Sequence, residues 1–255
     1  MSEHIQTETI DRIRVVRFNR ADKKNALTHE MYEALIVALR EADADPLVRC
    51  ILFAGSETAF SAGNDIADFL QNPPTGSDAP VMRLLALLTE IHKPMLAAVC
   101  GPAVGIGTTL LLHCDLVACG QQTAFVLPFV NLGLCAEGGA SLLLAQRIGA
   151  ARAREWLMLG EPVDARTALD AGLVNRVLPN EHVFGEVLAW AQKLAAKPPT
   201  ALAATRRLIH QGSLQAARDA IASEAAEFRH LLQSAEAKEA FAAFIEKRKP
   251  DFSRF

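Results

Sequence analysis

Two glycine-centred turns and one acidic residue are the parts of this 255-residue chain whose types and spacing could do chemistry. Residues 101–115 (GPAVGIGTTLLLHCD) place a glycine-rich turn after an apolar run, and the pattern predicts that the turn opens directly into an apolar helix. Gly105 and Gly107 let backbone approach a ligand without a Cβ in the way. A helix start offers unsatisfied N–H groups and the positive end of its dipole, which suits an anion or a developing oxyanion. The alternative at this point is a tight turn that only packs helix on strand. The third glycine of a dinucleotide fingerprint is missing, because Leu110 stands there, and no GK[ST] phosphate loop is present. Residues 59–66 (AFSAGNDI) place a second turn, at Gly63, after another apolar run, so a convergent pair of backbone donors is possible. The acidic residue is Glu137, within 131–141 (NLGLCAEGGAS), just before Gly138-Gly139 and an apolar helix. On spacing alone it reads as a carboxylate favoured by a helix dipole.

Other polar residues near these turns have quieter readings. Asp65 follows the first turn and precedes a short predicted helix, so it suits an N-cap. His113 and Asp115 flank Cys114 and read as satisfied core or interface groups. Ser61 lacks a G-x-S-x-G context and an evident histidine partner, which argues against a serine-hydrolase triad. The five cysteines, Cys50, Cys100, Cys114, Cys119 and Cys135, show no C-x-x-C spacing and lie mostly in apolar segments, as expected of reduced, buried residues.

Strand, turn and helix units must position these residues. Alternation predicts a strand over 13–18, Thr28 can N-cap a helix to about Ala44, and strands follow over 48–54 and 93–100. Between them lie a short helix after Asp65, a Pro/Gly-rich loop over 72–80 suited to selecting a substrate, and a longer helix through His92. Strands over 116–118 and 124–127 precede helices to about Asp170, and a strand over 174–178 closes the core. From Pro198 the chain is alanine-rich and predicted helical throughout.

Composition agrees with one large domain, or a domain with an appendage: 51% of residues are hydrophobic and the formal net charge is −3. No basic tract suits nucleic acid, and no apolar stretch reaches membrane-spanning length. The first ten residues lack a secretory pattern and the final SRF is not a peroxisomal SKL address, so the expected setting is cytoplasmic.

The ordered motifs resemble those of the crotonase family, the enoyl-CoA hydratase/isomerase superfamily, over nearly the whole chain. They are Asn19-Arg20 with Asn25-Ala26-Leu27, AFSAGND at 59–65, KPMLAAVCGPAVGIG at 93–107, AGLVNRVLP at 171–179 and FIEKRKPDF at 244–252. The resemblance implies an α/β fold, the crotonase (ClpP-like) spiral of repeated β-β-α units. It also implies a core over 1–197 with a CoA-thioester site, and a C-terminal helical region over 198–255 that builds a homotrimer or a hexamer of two trimers. CoA enters as part of the substrate, and no metal or separate cofactor is implied.

In that family a thioester oxygen lies between two backbone N–H groups, which match Asn64 and Ile106 here. Lys24, Ala26, Leu27, Ala62, Gly63, Asp65, Ile66 and Gly105 match surrounding substrate-binding positions. Lys247 lies in the basic stretch that helps hold the CoA nucleotide, and Arg20 and Lys23 could assist with its phosphates. Phe129, Leu134, Leu127 and Val130 are candidate apolar walls for the acyl group.

The two glutamates used by family hydratases match Thr109 and Phe129, neither of which can act as a carboxylate does. Glu137 instead resembles the base of peroxisomal-type Δ3,Δ2-enoyl-CoA isomerases, with SAGND, NPPTG, GPAVGI and NLGL-x-x-EGG as supporting matches. The resemblance therefore implies an isomerase using Glu137 as acid and base. Ring-enoyl isomerisation, hydration, thioester hydrolysis and noncatalytic CoA binding are the alternatives.

Overall fold

In a computed structural model that describes residues 2–74, 76 and 78–255, the chain winds as an α/β spiral. Strands β1 (Ile5–Ile10) and β2 (Ile13–Phe18) form an antiparallel hairpin with Ile10 opposite Ile13. Its two-residue turn, Asp11-Arg12, has both φ values positive, at 47° and 68°, the geometry that matches strand twist. Helix α1 (His29–Ala44) starts as expected at Thr28, whose hydroxyl accepts from Met31 N–H at 3.3 Å. Strand β3 (Cys50–Ala54) is followed by α2 (Ile66–Gln71), α3 (Pro80–Leu88), β4 (Met95–Val99), β5 (Pro102–Val104) and α4 (Ile106–Thr109). A 3-10 turn (Leu110–His113) extends α4, then come β6 (Leu116–Gly120), β7 (Ala124–Val126) and a second 3-10 turn (Val130–Leu132). The remaining elements are α5 (Ala140–Ile148), α6 (Ala150–Leu159), β8 (Val163–Asp164), α7 (Ala165–Ala171), β9 (Arg176–Leu178), α8 (Asn180–Ala195), α9 (Pro199–Gln211), α10 (Leu214–Leu231) and α11 (Ala235–Ile245).

The larger sheet has the order β1-β2-β3-β4-β6-β9 and the smaller β5-β7-β8. Successive turns of the spiral give one strand to each sheet and then a helix, as in β4-β5-α4 and β6-β7-α5. From β2 to β9 the larger sheet is parallel, and its central strands β3 and β4 are buried throughout, as a sheet covered on both faces requires. One face carries Ile13, Val15, Cys50, Leu52, Leu96 and Ala98 against Val183, Val187 and Ala191 of α8. The opposite face, with Val16, Phe18, Ile51 and Phe53, joins the main core.

Three local expectations change. Strand β1 lies upstream of the first predicted strand, because four of its six residues face solvent and blur the apolar signal. The second glycine turn does not open directly into a long helix. Residues Pro102–Val104 first pair with β7, and the helix that follows is four residues of α-helix completed by a 3-10 turn. The two-residue β8 is too short to show periodicity. Of the predicted loop over 72–80, Thr75 and Ser77 lie outside the described residues, and Pro80 already belongs to α3.

After residue 198 the chain is helical, as expected, and part of it folds back on its own core. Phe228 of α10 meets Phe69 of α2 edge-on at 6.3 Å, and Phe241 of α11 packs on Phe69 at 5.8 Å. No described helix is long and apolar enough to cross a membrane.

Candidate active site

A buried asparagine organises the first turn. Asn25 Nδ2 donates to Ala59 O at 2.8 Å, its Oδ1 accepts Arg20 N–H at 2.8 Å, and its carbonyl accepts Ser61 Oγ at 2.9 Å. Ser61 Oγ also accepts Gly63 N–H at 3.1 Å, so this hydroxyl is a structural bridge. Leu27 and Asn64 form a parallel bridge: Leu27 N–H donates to Gly63 O at 2.7 Å and Asp65 N–H to Leu27 O at 2.9 Å. In such a bridge the N–H of Asn64 points away from Leu27. Asp65 caps α2 as expected, accepting Ala67 and Asp68 N–H at 3.1 and 3.2 Å. Burial opposes its ionisation, but Arg20 at 2.7 Å and the capping bonds outweigh this and hold the carboxyl below its ordinary range. Arg20 also donates to Ala26 O at 3.0 Å, so its guanidinium is engaged by the turn itself.

The two turns abut. Gly63 has φ +84°, and a Cβ there would come within 2.8 Å of Val104 O, so only glycine permits the contact. Val104 and Gly105 lead directly into Ile106, the first residue of α4. Among the described residues, neither Asn64 N–H nor Ile106 N–H has a hydrogen-bond acceptor. Two free backbone donors thus stand on adjoining turns.

Glu137 is buried in the core, 6% exposed, and meets α4 at Thr109, three residues after Ile106. Its Oε1 accepts Thr109 Oγ1–H at 2.5 Å, while its Oε2 is buried without a partner among the described residues. Burial raises its pKa from 4.5 to about 8, opposed by the Thr109 hydrogen bond and assisted by the negative charge of Glu224. The carboxyl is therefore mostly protonated at neutral pH in the unliganded protein. Its loop approaches α4 closely, since a Cβ on Gly138 would sit 3.2 Å from Thr109 Cβ and Oγ1. His113 Nε2 lies 2.8 Å from Gly138 O. Burial pushes the His113 pKa down to about 4, so the ring is neutral and its Nε2–H donates to that carbonyl.

Tyr32 reaches the first turn from α1. Its hydroxyl donates to Asn64 Oδ1 at 2.5 Å, and its own pKa is raised by burial first, then by the charges of Glu137 and Asp68. A cavity of about 360 Å³ borders the first turn, with Leu27, Tyr32, Asn64, Phe69, Pro73 and Val81 on its walls; Glu137 and Ile106 are not among its lining residues. Phe129, Leu134 and Leu127 are buried in the main core and are likewise not among that lining, and Val130 is exposed. Ala26, Ala62 and Ile66 are half-buried around the first turn, Gly105 is buried, and Lys24 and Lys247 are exposed. Among the described residues, no group of histidine, cysteine or acidic side chains could hold a metal.

Sequence reasoning singled out Glu137, Asn64 and Ile106 but missed Tyr32 and Glu224, and it treated Thr109 only as a lost glutamate. Tyr32 and Glu224 share a legible signal: each is a polar group on the buried stripe of an otherwise apolar helix face.

A spiral that pairs strands into two sheets and brings two glycine turns together defines the crotonase class of α/β enzymes. Residues 8–254 match the enoyl-CoA hydratase/isomerase family, and the chain belongs to that family. It is 31% identical to the 2,3-dehydroadipyl-CoA hydratase of Escherichia coli, over 99% of both chains. It is 32% identical to enoyl-CoA delta isomerase 2 of Rattus norvegicus, over 92% of this chain and 61% of that protein. The solved structure of Pseudomonas aeruginosa OdaA shares 44% identity and superposes with a TM-score of 0.93, covering 96% of this chain and 99% of that one.

Proposed function

We propose that this enzyme is a Δ3,Δ2-enoyl-CoA isomerase, and that Glu137 is its single acid/base. The observation that carries the reading is the state of Glu137: a buried carboxyl with one oxygen held by Thr109 and the other unpartnered. Ionised, it removes a proton from C2 of a 3-enoyl-CoA. The electron pair moves into a dienolate whose oxygen is met by Asn64 N–H and Ile106 N–H. The same carboxyl returns the proton at C4, leaving the double bond conjugated with the thioester. Backbone donors already in place stabilise such an oxyanion without reorganising, at about 3 to 4 kcal/mol per donor. The raised pKa brings the group near the working range of a general acid/base.

Hydration is the second reading, and what favours it is the activity in the name of the Escherichia coli relative. Against it stand Thr109 and Phe129, where hydratases of the family carry glutamates. The two are separated by offering purified protein a 3-enoyl-CoA and a 2-enoyl-CoA in parallel. The proposed reading expects conjugation of the first, followed by ultraviolet absorbance, to outpace hydration of the second. Hydration as the faster reaction would overturn it.

Within this reading the exposed Lys24 and Lys247 meet the anionic CoA nucleotide. The C-terminal helices carry exposed Leu208, Ile209, Phe244 and Ile245, which suits burial between the subunits of a trimer or hexamer. Five free cysteines, four of them buried, suit a reducing cytoplasmic setting.

A further inference from the structure

The helix that follows Glu137 has an unusual N-terminus. Gly139 occupies the N-cap of α5 and has no side chain with which to cap it. The missing acceptor comes from far along the chain. Glu224 of α10, itself 7% exposed, accepts Gly139 N–H on Oε2 at 2.6 Å and Ser141 N–H on Oε1 at 2.8 Å. Both oxygens are thus used on the first turn of α5, with sequence separations of 85 and 83 residues. A carboxylate here satisfies two orphan donors and meets the positive end of the helix dipole. The loop it grips runs from Glu137 through Gly138 to Gly139, and its other side is held by Thr109 and His113.

We propose that Glu224 is a positioning residue for Glu137: its carboxylate fixes the loop that carries the base and makes the docking of α10 a condition of proton transfer. This rests on Glu137 being the base. The titratable groups around this loop are His113 of the 3-10 turn, which meets Gly138 O, Tyr32 from α1, Cys135 from the loop itself and Glu224 from α10. His113 is neutral because burial drives its pKa to about 4. Tyr32 is neutral because burial raises its phenol, and Cys135 because burial raises its thiol to about 11. Glu224 therefore supplies the formal charge that acts on Glu137, and it opposes ionisation of the base. Without it the base would be both looser and more acidic.

The test compares wild type with Glu224→Gln and Glu224→Asp. The Glu137 carboxyl is titrated by carbon-13 NMR, its signal identified by its loss in Glu137→Gln, and kcat and KM are measured with a 3-enoyl-CoA below each variant's thermal transition. In Glu224→Gln the charge is gone, and the Glu137 midpoint is expected to fall by about half a unit or more. In Glu224→Asp the charge stays but the reach shortens, so the midpoint stays high while kcat falls about ten- to a hundredfold with KM little changed. A folded Glu224→Gln whose midpoint and kcat are both within twofold of wild type would overturn the proposal. So would variants that lose only thermal stability. Where Glu224→Gln does not accumulate as folded protein, Glu224→Asp alone decides, a wild-type kcat overturning the assignment. The NMR titration does not depend on turnover, so failure of the isomerase reading would appear separately, as a wild type that titrates high but does not convert the substrate.

Discussion

Replacing Glu137 with glutamine should make the protein more stable as the pH rises, because the native carboxyl is buried where its charged form is poorly solvated. The group ionises at about 4.5 when exposed and at about 8 in the fold. Its folded pKa is raised, so the native state binds a proton that the unfolded state has released between those values. Stability contributed by the protonated group is complete below the unfolded value and is lost as pH climbs toward the folded one. Each unit is worth about 1.4 kcal/mol. The wild type should therefore lose ground to Glu137→Gln by about 3 kcal/mol at pH 7 and about 4 kcal/mol at pH 8 and above, relative to pH 4.5. Glutamine keeps an oxygen to accept from Thr109 and has no charge to bury. Urea unfolding of both proteins at matched concentration, from pH 5 to pH 9, reads the difference directly. A gap that stays flat across that range would refute the account of Glu137 as a group held neutral by burial.

The same group sets the pH dependence of catalysis: kcat/KM should rise with pH as the carboxyl ionises, with a midpoint near 8 in the free enzyme, checked by initial rates over pH 6–9.5. Thr109→Val removes the hydroxyl that lowers the Glu137 pKa, so the midpoint should move upward and kcat/KM at pH 7 should drop about tenfold, read in the same assay. Gly63→Ala places a methyl 2.8 Å from Val104 O at a positive φ, and should cost about 2 kcal/mol or more in urea unfolding while separating the two turns. Asn25→Ala deletes one donor to Ala59 O and one acceptor for Arg20 N–H inside the core, with an expected loss of about 2 to 4 kcal/mol.

Much of this architecture was legible because its signals are local. The continuous apolar runs of β3 and β4 announce strands covered on both faces, and Thr28 announces the start of α1. Asp65 likewise declared its capping role by its place before α2. Strand β1 escaped notice because an edge strand with four solvent-facing residues has little apolar pattern to offer. The partners of Glu137 escaped for a different reason. Thr109 reaches it across 28 residues, and Glu224 holds the same loop across 85. Contacts at such separations are made by the spiral and by the return of α10, so no window of sequence contains both ends. What the sequence did contain was Glu224 in register with Ala217, Ile221 and Phe228 on the buried face of α10. An acidic residue on an apolar stripe must find donors in the interior.

The central claim is that Glu137 moves the proton, and the most direct measurement is turnover of a 3-enoyl-CoA to the conjugated 2-enoyl-CoA by wild type and Glu137→Gln, with acyl-CoA affinity measured beside it. The account predicts turnover by wild type, a loss of about a hundredfold or more in the variant, and affinities that agree within a few-fold. A Glu137→Gln enzyme that keeps its rate within tenfold, or a wild type that binds the thioester without converting it, would contradict the claim.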